Sequence, residues 1–258
     1  MSSSGAAPGE RWTWALPWAG VLIVFTGWWA VAHFRVVNPL FLASPADTLA
    51  ELYRLAAEGT LPRDISASLR RIFAALGLSI LIGLPVGLVL GLAESVNRLL
   101  QGVTDFLRSI PPIVVYGVCQ FIFGPEDPSR IAVAVFGATT VFALNTGAGV
   151  RHCSKLRQQT SRLLGAKWHH VIGGIVIFES LPAIIVATRA ALSLCIIIVC
   201  VTEMLVGAPY ALGSRIVNAQ ISYATPQLYA VILTIGFIGL VLNWMLIGVE
   251  RWMVHWRR

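Results

Sequence analysis

From Ile72 to Ala93 the chain reads IFAALGLSILIGLPVGLVLGLA, with no charged residue. As a helix rising 1.5 Å per residue, that run covers about 30 Å, the depth of a bilayer's hydrocarbon core. Comparable runs recur at roughly 14–34, 103–123, 131–150, 183–206 and 228–249. Water-soluble cores have no use for uncharged stretches of this length. Composition agrees, because charged residues make up 12% of the 258, against roughly 25% in soluble domains. The reading is an all-α polytopic membrane protein with about six transmembrane helices.

Several spans carry features that constrain packing. Gly83, Gly87 and Gly91 repeat every fourth residue in span two, a small-residue ridge that lets a second helix approach closely where lipid supplies no hydrophobic drive. Pro85 in the same span predicts a kink. Pro111 and Pro112 in span three remove two backbone donors and break the helix, which suits either a pathway wall or a packing kink. Span five carries Arg189 early and Glu203 late. Fourteen residues separate them by about 21 Å, so they do not pair within that helix. Arg189 reads as a snorkelling or a functional cation, Glu203 as a functional or inter-subunit acid. Between spans one and two, SPADTLAELYRLAAEG opens with a capping signal and predicts an amphipathic helix ended by Gly59. Short loops, ESVNRLL and GPEDPSR, are expected on either side of span three, and a longer one, GAPYALGSRIVNAQISYATPQ, after span five.

Charge placement sets the expected topology. Of the 19 Lys and Arg, Arg35, Arg54, Arg63, Arg70, Arg71, Arg130 and Arg215 fall on one side, and Arg189 lies inside a span. The rest gather on the side shared by both termini and the loop from about 151 to 173, which predicts that this side is cytoplasmic. Because the cations flank apolar segments and are not interleaved with aromatics on a polar face, the net charge of +7 does not indicate nucleic acid. Cys119, Cys153, Cys195 and Cys200 contain no CxxC spacing and read as small core residues, with no metal and no cofactor implied. The apolar run after the polar, flexible N-terminus is too long for a signal-peptide core, which predicts a retained anchor. The expected segments are 1–13, a flexible cytoplasmic N-terminus; 14–71, a first span and an external amphipathic segment; and 72–258, the core.

The loop KLRQQTSRLLGAKWHHVIGGIVIFESLP, from Lys155 to Pro182, is the longest basic passage between apolar segments. As a helix it places Leu164, Trp168, Val171 and Ile172 on one face, and Gly165 predicts two short helices joined at a bend. Periodicity alone does not separate a helix seated in a protein cleft from one resting on headgroups.

This loop resembles the cytoplasmic signature of permease subunits in binding-protein-dependent ABC importers, of the nitrate, sulfonate and taurine type. That signature is Glu-Ala-Ala, three residues, Gly, and later Leu-Pro. It falls here on Gln159-Thr160-Ser161, Gly165-Ala166 and Leu181-Pro182. The likeness runs from about Leu42 to the C-terminus through ASLRRIFAALGLSILIGLPVGLVLGL, RSIPPIVVYGVCQFIFG, LNTGAGVR and TRAALSLCIIIVCVTEML. It implies a type I ABC importer permease fold and an inner-membrane location. Implied partners are ABC ATPase subunits, a second permease subunit as homodimer or heterodimer, an extracytoplasmic substrate-binding protein and membrane lipid. Gln159, Ser161, Leu164, Gly165, Ala166, Lys167 and Trp168 would form the ATPase-docking helix. The sequence departs from the pattern at Gln159, Thr160 and Ser161, at Phe178-Glu179 where a proline is usual, and at Asn243 where an Asp is common. These departures suit one half of a heterodimeric permease.

No GxxxxGK[ST] loop occurs in the sequence, which places ATP hydrolysis on a partner and makes this chain a non-enzyme. Pathway side chains are expected from spans three and five, at Tyr116, Gln120, Cys195 and Glu203. The cargo implied is a small organic or inorganic anion such as a sulfonate, nitrate or related solute. The competing reading, a self-sufficient secondary transporter, needs an internal repeat and a midplane ion relay that the sequence does not display. A membrane-embedded enzyme would need His, Asp or Ser clusters within the spans, whereas the five histidines lie at span ends or in loops.

Overall fold

The computed structural model describes residues 16–254. Trp14, the 1–13 segment and the last four residues lie outside it, as does the side chain of Trp18. The described residues form helices α1 (Leu16–His33), α2 (Pro45–Ala57), α3 (Thr60–Leu92), α4 (Glu94–Ser109), α5 (Tyr116–Phe123), α6 (Asp127–Arg151), α7 (Lys155–Leu163), α8 (Trp168–Val171), α9 (Ile177–Val206), α10 (Leu212–Ile221) and α11 (Thr225–Met253). A 3₁₀ turn, Pro112–Val115, leads into α5, and a π-helical turn, Ile172–Val176, joins α8 to α9.

Four helical rods are long and apolar enough to cross a membrane: α3, α6, the continuous Trp168–Val206 and α11. A fifth arises if α4 and Pro112–Phe123 are taken as one bent span, and Ala19–His33 is a shorter apolar helix. The six spans expected from sequence thus reduce to four or five of full length among the described residues. Span three is not one helix from Val103 to Phe123, since its two halves meet at 84°. The prolines enforce the break, because the residue before a proline is pushed out of the helical region, and Ile110 and Pro111 are extended.

Three expected loops prove helical. ESVNRLL forms the first half of α4, where acidic Glu94 opens the helix and pairs with Arg98 one turn on at 3.7 Å. The loop after span five contains α10. Leu181 and Pro182 lie inside α9, which begins six residues before the expected Ala183. Likewise α3 starts at Thr60, so the expected boundary between 71 and 72 falls within a helix. Arg70 and Arg71 are therefore helical residues and not the end of a connecting segment. That helix runs on through Pro85.

The centre of the bundle is the seam between α3 and α6. A Cβ added at Gly83 would meet the Phe142 ring at 2.8 Å, and one at Gly87 would meet Thr146 Cβ at 2.7 Å and Ala143 O at 2.8 Å. At Gly91 it would collide with Val150. The three glycines expected to form a ridge do so, and the partner is α6. On its other face α6 meets α9, where Gly149 presses on Ala183 and Gly137 on Ile198. Gly137 also abuts Pro112, which packs the break in span three against the core. Ile72, Phe142, Val133, Ala187 and Cys195 share the resulting buried cluster.

The outer helices are attached more loosely. α2 is capped by Ser44, whose hydroxyl accepts from the Asp47 N–H, and Leu55 and Leu61 pack with Leu212 and Val231. Gly59, at φ +72°, turns the chain directly from α2 into α3. Among the described residues, α1 is tied down near its C-terminal end. Trp28 Nε1 donates to Ala43 O at 3.0 Å and the ring stacks on Tyr229. Thr225 Oγ1 donates to Leu40 O at 2.5 Å, and Tyr229 OH to Phe41 O at 3.3 Å.

Gly87→Ala and Gly91→Ala should each destabilise the protein by about 1–3 kcal/mol through overpacking. Gly77→Ala, whose Cβ would meet nothing within 4 Å, should not. Thermal unfolding of the three variants in detergent checks the contrast.

Candidate functional site

Two polar features stand out, one at each end of the bundle. The first is the turn formed by α7 and α8. Ser154 caps α7 by accepting the Arg157 N–H at 3.3 Å. The helix stops after Leu163 in a two-bond glycine terminus, with Gly165 N–H donating to Arg162 O and Ala166 N–H to Ser161 O, both at 3.0 Å. This closure needs a left-handed residue between the two bonds, and Gly165 supplies it at φ +85°. Lys167, extended at ψ 152°, then opens α8. Two short helices joined at Gly165, as the sequence predicts, are what forms.

The expected shared face of Leu164, Trp168, Val171 and Ile172 divides. Val171 is buried in the protein, whereas Leu164 and Trp168 are 84% and 68% exposed. The π-helical turn that follows accounts for the inward side, because it continues α8 into α9 and keeps Val171 against the bundle. Leu156 and Leu163 are exposed as well. The basic turn of α7 and α8 thus offers four large apolar side chains outward. Gln159, Gly165 and Lys167 are exposed beside them, with Ser161 and Ala166 half-buried.

The second feature is a buried ionic cluster at the opposite end. Glu203 is fully buried, and both of its oxygens are used. Ser68 Oγ donates to them at 2.8 and 2.9 Å, Arg71 Nη1 to Oε1 at 2.7 Å, and the Gly213 N–H to Oε2 at 3.0 Å. The Leu212 N–H donates in turn to Ser68 Oγ. Arg71 reaches further, to Asp127 Oδ1 at 2.7 Å and Tyr210 O at 3.1 Å. Asp127 also receives Arg130, whose Nη2 donates to Gly207 O. Nearby, Arg215 pairs with buried Asp64. The cluster joins α3, α6, α9 and α10. Glu203, read from sequence as a functional or inter-subunit acid, is in fact neutralised within its own chain. Sequence reasoning missed its partners, because 132 residues separate Glu203 from Arg71. The available signal was an arginine beside a run too apolar to leave it unpaired.

Midway along α9, Arg189 donates from Nε to Asn243 Oδ1 at 2.9 Å and lies 3.8 Å from Glu250. The Asp usual at position 243 is absent, but a carboxylate two turns along the same helix stands beside the arginine. Among the pathway candidates, Tyr116 and Cys195 come together in the buried core, and half-buried Gln120 sits one turn beyond Tyr116. The Tyr116 hydroxyl is buried without a hydrogen-bond partner. Glu203 stands apart from these three, about 12 Å from Cys195 along α9.

An apolar bundle with one helix pair broken at prolines, tied by ion pairs at one end and offering a helical turn at the other, fits a polytopic membrane protein. Residues 71–258 match the family described as "Binding-protein-dependent transport system inner membrane component". The chain belongs to that family, and it is the transmembrane permease subunit of an ABC importer. It is 28% identical to the taurine transport system permease protein TauC of Escherichia coli K12 over 257 residues, covering 95% of this chain and 93% of that one. It is 25% identical to the putative aliphatic sulfonates transport permease protein SsuC of Bacillus subtilis 168 over 250 residues, 96% and 90% of the two chains. In fold it resembles a chain of the MetNI methionine ABC transporter in an inward-facing conformation. The TM-score is 0.66 at 20% identity, covering 77% of this chain and 98% of that one.

Removing one partner of the buried pair should be costly, because the other charge is left uncompensated. Arg71→Met or Glu203→Met alone should destabilise the protein by about 3–5 kcal/mol. The double variant should recover much of that loss. Unfolding of the three variants in mixed micelles measures it.

Proposed function

We propose that this subunit pairs with a second permease subunit, a copy or a relative, to form an inner-membrane pathway for a small anion such as a sulfonate, nitrate or related solute. The turn of α7 and α8 seats in a groove of a separate ABC ATPase, and an extracytoplasmic binding protein delivers the solute at the other end. ATP binding and hydrolysis on the partner rock the two permeases between alternate states, while this chain supplies the path and the lever. Likeness to permeases named for taurine and for aliphatic sulfonates supports the anion class.

The observation that carries the docking assignment is the pairing of Gly165 in its left-handed closure with outward-facing Leu156, Leu163, Leu164 and Trp168. Large apolar side chains on a rigid turn suit a protein cleft of matching shape. The charge distribution supports a cytoplasmic side for this turn.

Gly165→Val should uncouple transport, because a β-branched residue in the left-handed region costs about 1–2 kcal/mol and unravels the closure. Gly165→Asn, which tolerates that region, should retain most activity. Uptake of labelled taurine and nitrate into vesicles, read against ATP hydrolysis by the assembled complex, tests both variants, and wild-type uptake by Gly165→Val argues against docking here. The isolated chain should hydrolyse no ATP, and turnover by it would contradict the division of labour.

A further inference from the structure

Glu179 lies in the first turn of α9, where the family pattern has a proline nearby, and the docking assignment leaves it without a role. Its carboxylate faces back across the turn. Oε2 accepts the Ser154 N–H at 2.8 Å, and Oε1 lies 2.7 Å from Arg157 Nη1. Ser154 is the cap of α7 and Arg157 lies in its first turn, so one side chain grips the start of the docking helix twice. The Glu179 side chain is 18% exposed and Arg157 71%, so the bond from the Ser154 amide is the sheltered, charge-assisted contact and the ion pair to Arg157 is the weaker, solvent-screened one.

This grip matters because α7 has little else to hold it. None of its residues is buried. Its far end is joined to α9 through the Gly165 bend, α8 and the π-helical turn, a route that contains Gly173 and Gly174. α7 follows α6 after residues 152–154 and returns to α9 through the Gly165 bend, and Glu179 is the side chain that ties its first turn to α9 directly. With it, α7, α8 and the start of α9 close into a triangle.

We propose that Glu179 is a positioning residue for energy coupling: it pins the first turn of α7 to α9, so that displacement of the docking helix passes into the span and is not absorbed at the loop. The inference rests on the docking reading above and adds the element that transmits the motion.

Cys153 offers a local reporter. Its buried thiol bridges the end of α6 and the π-helical turn, with Sγ 3.7 Å from Val176 O. It lines a cavity of about 510 Å³ together with Arg157 and Glu179. Burial, and then the Glu179 charge, push its pKa up, while Arg157 acts the other way. By charge alone, Arg157→Gln would slow alkylation of Cys153. Release of the grip would speed it.

The test uses the assembled transporter, with ATPase and binding protein, in proteoliposomes. Glu179→Ala should lower taurine taken up per ATP hydrolysed by at least about fivefold, the low end of the usual range for coupled sites, while ATP hydrolysis persists. Glu179→Gln, which keeps an acceptor for the Ser154 amide, should fall between wild type and Glu179→Ala, and it decides the matter should the alanine variant not assemble. Peptide-resolved maleimide labelling should show Cys153 reacting roughly tenfold faster in Glu179→Ala, as loss of a hydrogen bond to a charged group implies, and faster also in Arg157→Gln. Unchanged labelling in both variants, or unchanged uptake per ATP in the glutamate variants, overturns the proposal. Cross-linking from Gln159→Cys to the ATPase separates the two levels. If that bond forms and Glu179 proves dispensable, the clamp alone fails. If it does not form in the wild-type background, the docking assignment fails and the clamp with it.

Discussion

Hydrocarbon offers a polar group no hydrogen bond, so every charge carried into the spans must meet its partner inside the protein. The cluster around Glu203 meets that constraint with a serine and an arginine of α3 and a backbone amide of α10, and Arg71 extends the network to Asp127. Replacing such a cluster by apolar side chains is often neutral for stability. What it supplies here is register. α3, α6 and α9 have to meet at one level before Arg71 is satisfied, which singles out one packing from the many that interchangeable apolar faces would permit.

The two ends of the bundle are built on opposite principles. At the Glu203 end the charges are buried, matched and inward-facing. At the α7 end, cations and large apolar side chains point outward, and the helix that bears them is held by few contacts. Between the ends run α3, α6 and α9, packed through glycines and alanines with little slack. A stiff middle with one fixed end and one exposed end suits a part that is pushed at one side and moves as a body, since close-packed interiors transmit strain.

What was legible in the sequence was mostly local. The run from Ile72 to Ala93 announces a span, Gly83, Gly87 and Gly91 announce a close neighbour, and Gly165 announces a bend. Each follows from a periodicity or a single dihedral preference. The identity of a neighbour is not local, so nothing in the glycine spacing pointed to α6, and nothing around Glu203 pointed to Arg71. Arg71 was also misplaced for a physical reason: an arginine just before an apolar run looks like an interfacial charge until the helix is seen to begin eleven residues earlier. α4 was half missed because its polar first turn looks like a connector, although the spacing of Glu94 and Arg98 also fits a helix. Of the docking residues, the turn itself could be read from the chain. The inward fate of Val171 could not, since it depends on a π-helical turn that periodicity does not reveal.

α1 is moored to the rest of the molecule by a few bonds near Trp28 and Tyr229 and otherwise shows its side chains outward. It also lies outside the stretch that carries the family match. A helix attached in this way answers to bilayer thickness more than to the machinery beside it.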